Sequence, residues 1–397
     1  MKSSFSRIIL KQGKERSLLN FHPWLFSGAV AQTEGEIREG DIVEIYSHDK
    51  KYLATGHYHE GSIKVRIFSF EQTEPDQGFW KRKIRNAFEL RKRLGFTDNN
   101  STNVYRLVHA EGDGLPGLII DIYNSAAVIQ THTIGMHNAK HDIAEALKEI
   151  YGSRLKCIYD KSAETMSKQE QGVVENKFLY GEAKEVVVTE NGLKFLIDFQ
   201  IGQKTGFFID QRENRKLLGE YSNCKNVLNT FAYSGGFSIY ALEAGANLVH
   251  SVDSSKRTAE WAEQNIKLNA GIAGDNHTFY TADAFDFLKS SQESYDVIIL
   301  DPPAFAKHLS SVNRATVGYR SLNYEAIKRI KPGGILFTFS CSQVIDKALF
   351  RKIVFTAAAM TKRNVRILHQ LTQPSDHPIS IYHPEGEYLK GLVLHVD

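Results

Sequence analysis

The chain has 397 residues, too many for one typical domain, and its hydrophobic fraction of 42% suits ordinary buried cores. A formal charge of +3 selects no acidic or basic partner, and no run approaches the roughly 18 apolar residues of a membrane span. Three widely separated cysteines (Cys157, Cys224, Cys341) and an N-terminus without a leader-like apolar core point to a reduced, cytoplasmic protein with neither a disulfide framework nor a metal site.

To about Phe70 the chain reads as short strands: RIILK, DIVEIYS, YLATGHYH and SIKVRIFSF, separated by turn residues such as Gly13, Gly40 and Gly61. A small β-rich domain over residues 1–72 is expected, closed by the polar stretch Glu71 to Gly78. WKRKIRNAFELRKRLGF follows, with Trp80, Ile84, Ala87, Phe88 and Leu94 on one helical face and Gly95 ending the helix. It carries seven basic residues against one acid, Glu89. Two readings stand side by side: a solvated face, or phosphate contacts through residues such as Arg82 and Arg85, which give affinity without sequence information. Strands VYRLVHAEGDGLPGLIIDIY and AAVIQTHT and the amphipathic helix HNAKHDIAEALKEIYG complete an α/β middle domain over residues 73–185.

The third domain, residues 186–397, opens with EVVVTENGLKFLIDF, where Asn191-Gly192 predicts a type I′ hairpin. Strands alternate with helices from there on, which predicts a mainly parallel sheet. Five segments then place small or acidic residues just after short aliphatic runs: NVLNTFAYSGGF, SVDSS, TADAFDF, VIILDPPAF and GGILFTFSCS. In an open α/β sheet that edge is where ligands bind.

In FAYSGGF, Phe231 and Ser234 precede Gly235 and Gly236, whose backbone can approach a ligand that a Cβ would block. This is not the dinucleotide G-x-G-x-x-G, so a ligand without pyrophosphate is favoured. Asp253 ends the next strand, placed to accept ribose hydroxyls or to cap the following helix. Asp283, followed by Ala284, has the same two readings toward an adenine amino group or an N-cap. Upstream, IGQKTGFFIDQREN sets Lys204 and Asp210 around aromatics: Lys204 to meet an acidic group or phosphate, Asp210 to border the cofactor or cap a helix.

Asp301-Pro302-Pro303-Ala304-Phe305 leaves the fourth strand rigidly, because proline cannot continue a ladder. Phe305 is either a core aromatic or a platform for an unstacked base. Cys341 ends the fifth strand and is either an inert strand cysteine or a nucleophile. As a nucleophile, a thiolate adding to carbon 6 of cytosine turns carbon 5 into an enamine able to take a methyl group.

Together these strings resemble the bacterial large-subunit ribosomal RNA cytosine-5 methyltransferases with an N-terminal PUA domain. The resemblance covers nearly the whole chain. It extends to LKQGKERSLLNFHPWLFSGAV, RLVHAEGDGLPGLIID, GQKTGFFIDQRENR, DHP at Asp376 to Pro378 and YLKG at Tyr388 to Gly391. It implies an α/β and β chain: a PUA-like β-barrel, the α/β middle domain, and a Rossmann-like class I methyltransferase with a seven-stranded mixed sheet ending in an antiparallel hairpin. It implies S-adenosylmethionine (SAM) as cofactor, contacted or bordered by Phe231, Ser234, Gly235, Gly236, Asp253, Asp283 and Asp301; Lys204, Asp210 and Ala284 join the expected cofactor site from the reading of their own segments. A cytidine of large-subunit ribosomal RNA is the implied target, flipped toward Cys341 and Phe305, and no membrane partner is implied. The oligomeric state is open, a homodimer included. Many RNA cytosine-5 enzymes carry a second cysteine where this chain has Ala304, so elimination falls to Asp301, a water or another base. The runner-up functions are N-methylation of a guanine, which Asp301-Pro302-Pro303 also suits, and a non-catalytic SAM-binding assembly module.

Overall fold

A computed structural model describes residues 5–166, 174–269, 271–272, 274–306 and 308–397. The chain forms two compact units: Met1–Thr189 with Ile197–Ile209 and Ser375–Gly386, and Glu190–Leu196 with Asp210–Pro374 and Glu387–Asp397.

The first unit holds two sheets. One has six strands in the order Trp24–Phe26, Ile63–Ser69, Tyr52–Tyr58, Ile42–Tyr46, Ser6–Leu10 and Val30–Glu34. Alternate residues of these strands, Ile8, Leu10, Leu25, Val43, Ile45, Ala54, Val65 and Ile67, form its core, as half-buried strands require. Trp24–Phe26 and Val30–Glu34 are the edge strands that sequence reading left out. The first has three residues and the second is largely exposed, so neither shows an alternating pattern. In HPW, the indole Nε1 of Trp24 donates 2.8 Å to Glu111 Oε1 while the Arg66 guanidinium lies over its ring. Trp24 is therefore occupied within the protein.

The second sheet runs Lys177–Tyr180, Cys157–Asp160, Ala126–Thr131, Leu118–Tyr123 and Val104–His109. The helices Gln77–Arg93 and Lys140–Tyr151 pack in its core through Trp80, Ile84, Phe88, Ile143 and Leu147. Asp76 caps the basic helix by accepting from Phe79 N at 2.7 Å. Its basic residues do not form one solvated face. Arg91 falls in helical phase with Trp80, Ile84 and Phe88, is fully buried, and makes a bidentate pair with Asp113 while donating to the Asp376 carbonyl at 2.8 Å. Lys81 pairs with Glu149, and Lys83 donates to Gly114 O. Arg82 is exposed and Arg85 half-buried.

Within the hairpin Val186–Glu190 and Leu193–Ile197 the chain passes from one unit to the other. Asn191 (φ 50°) and Gly192 (φ 87°) both adopt the left-handed conformation that the type I′ turn requires.

The second unit is built on seven strands: β1 (Asn226–Thr230), β2 (Leu248–Asp253), β3 (His277–Thr281), β4 (Val297–Leu300), β5 (Gly334–Ser340), β6 (Val365–Leu371) and β7 (Lys390–Val396). Their order is β3-β2-β1-β4-β5-β7-β6. The first five are parallel, and β7 lies antiparallel between β5 and β6. Successive residues of β4 serve opposite faces: Ile298 and Leu300 meet Tyr319, Leu322 and Ile353, whereas Val297 and Ile299 meet Leu218, Phe237 and Ala241. Helices on both faces explain why β1 and β4 read as continuous buried runs. Among the described residues, no helix is long and apolar enough to cross a membrane.

Candidate active site

Parallel pairing brings the strand tips to one edge. Thr230 lies level with Val252 on one side and Leu300 on the other, Leu300 with Thr338, and Asp253 with Thr281. The segments that follow β1 to β5 therefore leave the sheet at the same end, the crevice where such sheets bind ligands.

After β1 the backbone takes an unusual path. Phe231 (φ 56°) and Tyr233 (φ 48°) are left-handed without being glycine, and Gly235 (φ 80°) follows. Each non-glycine residue in that region costs on the order of 1–3 kcal/mol, a strain kept only where the surroundings over-determine it. Here they do: Ala232 N donates to Val252 O at 3.0 Å, Tyr233 N to Asp253 Oδ2 at 3.0 Å, and Asn265 Nδ2 to Ser234 O at 3.0 Å. A Cβ on Gly235 would stand 3.1 Å from the Cβ of Ala262, so both conformation and space demand glycine. One on Gly236 would meet Arg215 Cδ at 3.1 Å. Arg215 is itself fixed by a buried bidentate pair with Glu190, at 2.8 and 2.7 Å. Ser234 is buried, and its Oγ has no hydrogen-bond partner among the described residues.

The acids at the neighbouring tips behave differently. Asp253 accepts from Tyr233 N through one oxygen and from Ser255 N through the other. It therefore ties the β1 turn to the start of the next helix. Asp283 is exposed and caps the helix Ala284–Ser290 through Oδ1, which accepts from Phe285 N at 2.8 Å and Asp286 N at 3.1 Å, while Ala284 is buried.

Asp210 does not cap the helix Arg212–Glu220, whose capping position is Gln211. Its Oδ2 instead accepts from the Tyr388 hydroxyl at 2.7 Å, and its Oδ1 is buried without a partner among the described residues. Gln211 Nε2 donates to Asp301 Oδ1 at 3.0 Å and is held by Asn214 in turn. Burial, followed by the like charge of Asp210, pushes the Asp301 carboxyl up to about 7; the Gln211 hydrogen bond and the Arg215 cation oppose it. Lys204 is exposed in the first unit's segment Ile197–Ile209, also at positive φ (53°). Its neighbour Thr205 anchors that segment by donating to Asp121 at 2.6 Å.

Beyond β4 and β5 the two reaction-side segments are stitched together. Ser342 Oγ accepts from Ala306 N at 3.2 Å and bonds the Tyr319 hydroxyl at 2.9 Å. Cys341 is half-buried, its Sγ 3.9 Å from the Pro302 carbonyl. Phe305 rests on Tyr319 (centroids 4.5 Å apart) and faces Phe285 at 6.2 Å. With Arg314, Ala315 and Gly318 these two phenylalanines line a pocket of about 260 Å³. Cys157 belongs to a strand of the first unit, where burial raises its thiol to about 11, and exposed Cys224 precedes β1 at the opposite end of the sheet. Sequence reading assigned no role to Gln211, Arg215 or Lys390. The last is buried on β7, with its Nζ donating to Ser342 O at 2.7 Å. Only the proximity of Gln211 and Arg215 to Asp210 in DQRENR, and the place of Lys390 within the YLKG string, signalled them.

A sheet in this order, with a glycine turn after β1 and acids after β2, β3 and β4, defines a class I methyltransferase fold. The profile of an S-adenosylmethionine-dependent methyltransferase matches residues 168–388, and that of a PUA-like domain matches residues 8–70. Ribosomal RNA large subunit methyltransferase I of Aeromonas salmonicida is 42% identical over 98% of this chain and 98% of its own length. That of Pseudoalteromonas atlantica is 40% identical over 98% and 99%. A solved structure from Streptococcus mutans, described as a SAM-dependent methyltransferase, shares the fold at a TM-score of 0.83 and 22% identity, covering 98% of this chain and 100% of that one. The chain belongs to the S-adenosylmethionine-dependent methyltransferase family and, within it, to the large-subunit ribosomal RNA methyltransferase I group. Its cofactor is SAM.

Proposed function

We propose that the chain methylates carbon 5 of a cytidine in large-subunit ribosomal RNA, with Cys341 as covalent nucleophile. The observation that carries this reading is the position of Cys341 at the tip of β5, 3.9 Å from the carbonyl of Pro302 and so beside the Asp301 segment. The RNA class follows the names of the curated relatives.

The residues at the sheet edge fit SAM. Asp210 Oδ1 and Ser234 Oγ are buried polar atoms without a protein partner among the described residues, and two carboxyls, Asp210 and Asp301, suit a cationic ligand. We assign Phe231, Ser234, Gly235 and Gly236 to the methionine end, Asp253 to the ribose, and Asp283 with Ala284 to the adenine. Asp210 is assigned to the ammonium, Asp301 borders the cofactor on the side of β4, and Lys204 is assigned to a phosphate or other acidic group. When bound, SAM supplies an electrophilic methyl on a sulfonium sulfur.

The protein's own work lies on either side of that transfer. Cys341 as thiolate adds to carbon 6 and leaves carbon 5 electron-rich. After methylation, a base must take the carbon 5 proton as the C–S bond breaks and the electron pair returns to sulfur. With Ala304 in the place of a second cysteine, Asp301 is the base we favour: a carboxyl near 7 is more basic than an ordinary aspartate. Phe305 serves as the stacking platform for the flipped base, and Arg82 and Arg85 hold phosphates.

Ribosomal RNA carrying 5-fluorocytidine should trap a covalent adduct, absent in Cys341→Ala, and nucleoside mass spectrometry should find 5-methylcytidine. Full methyl transfer by Cys341→Ala, or a methylated guanosine as product, overturns the reading. SAM binding without turnover on any ribosomal RNA would instead favour an assembly module.

A further inference from the structure

Lys390 is 3% exposed on β7. Antiparallel register sets it opposite Ser340, so its side chain extends along β5 toward the residues that follow. There Nζ donates to the Ser342 carbonyl at 2.7 Å, one residue beyond Cys341. It pairs with no carboxylate among the described residues. Burying an ammonium without a carboxylate costs several kcal/mol, a penalty that methionine of similar length avoids. The groups facing it are Cys341, Glu387 and Asp346, which favour the charged form, and Lys347, which opposes it. Of these, Cys341 acts most strongly, and only as its thiolate. The attraction is mutual: an ammonium in a poorly solvated site favours the anion beside it.

We propose that Lys390 is a positioning residue whose buried ammonium holds Cys341 as a thiolate, a proposal that rests on the reading of Cys341 as nucleophile. In this step the S–H bond breaks, the proton leaves to solvent and the electron pair stays on sulfur. Lys390 keeps its own protons throughout. Burial lowers its ammonium to about 8, so it is charged at neutral pH and loses its proton as pH rises further.

The test uses the full chain without RNA or SAM: the rate of iodoacetamide alkylation at Cys341 against pH, read by peptide mass spectrometry, with exposed Cys224 as internal reference. In the wild type the Cys341 midpoint should lie below the ordinary thiol value of about 8.5. Lys390→Met should raise that midpoint by about one pH unit or more and slow alkylation at neutral pH about ten-fold. Lys390→Gln, which keeps a donor for Ser342 O and loses only the charge, should behave likewise, and Lys390→Arg should restore the wild-type midpoint. Cys224 should not respond in any variant. A wild-type Cys341 midpoint in folded Lys390→Gln overturns the proposal, whatever Lys390→Met does to folding. The outcome is separable from the reaction itself. A Lys390-dependent thiol with no 5-fluorocytidine adduct would sink the cytosine-5 reading alone, and an adduct with a Lys390-independent thiol would sink only this one.

Discussion

Replacing Asp301 by Asn should stabilise the protein at high pH while abolishing its activity. The carboxyl rises from 3.8 to about 7 through burial first and the Asp210 charge second. In the unfolded chain the group returns to about 3.9. The folded state thus holds an extra proton between about pH 4 and about pH 7, and stability falls as pH rises through that window. Below it the group costs nothing; above it the full penalty is about 4 kcal/mol. Roughly half, about 2 kcal/mol, develops between about pH 5.5 and about pH 8.5. Asparagine has the same shape and no such charge. Urea unfolding of both proteins at those two pH values should show Asp301→Asn gaining about 2 kcal/mol on the wild type over that rise. Methyl transfer should be lost at both values. An equal stability difference at the two pH values would refute the reasoning, because an unperturbed carboxyl is already ionised at both.

Gly235→Ala forces a side chain into left-handed backbone with Ala262 3.1 Å away; it should lower stability by about 1–3 kcal/mol in a thermal melt and weaken SAM binding by calorimetry. Arg91→Met strips a buried bidentate partner from Asp113, and an uncompensated buried charge should cost about 3–5 kcal/mol, read as a lower urea midpoint. Arg82→Ala and Arg85→Ala should leave the melt unchanged, while each lowers the salt dependence of ribosomal RNA binding by about one in log–log slope. A wild-type slope in both variants would remove them from the RNA contacts.

The sequence exposed the strand-tip residues because each is a local signal: an aliphatic run, then a small or acidic residue. The glycine turn, Asp253, Asp283, Asp301 and Cys341 all appear where their own short segments put them. Their partners are another matter. Tyr388 reaches Asp210 across 178 residues, and Arg91 reaches the Asp376 carbonyl across 285. No window of sequence contains both members of such a pair. Arg91 differs, since its helical phase with Trp80, Ile84 and Phe88 is local and marks it as inward-facing despite its charge. The capping alternative weighed for Asp283 corresponds to hydrogen bonds that exist, and the one weighed for Asp210 does not. Asp253 divides its oxygens between two backbone donors, neither of which a one-residue argument distinguishes.

Ser375–Gly386 belongs to the first unit although it lies between β6 and β7. Synthesis on the ribosome therefore separates the parts of that unit in time. Arg91 emerges 285 residues before the carbonyl that completes its hydrogen bonds. At about 5–20 residues per second, that wait is roughly 15–60 s. Arg91 can pair with Asp113, 22 residues on, as the first unit leaves the tunnel, but its bond to the Asp376 carbonyl waits until that segment has been made. The first unit thus closes on a segment made after most of the second unit has already emerged.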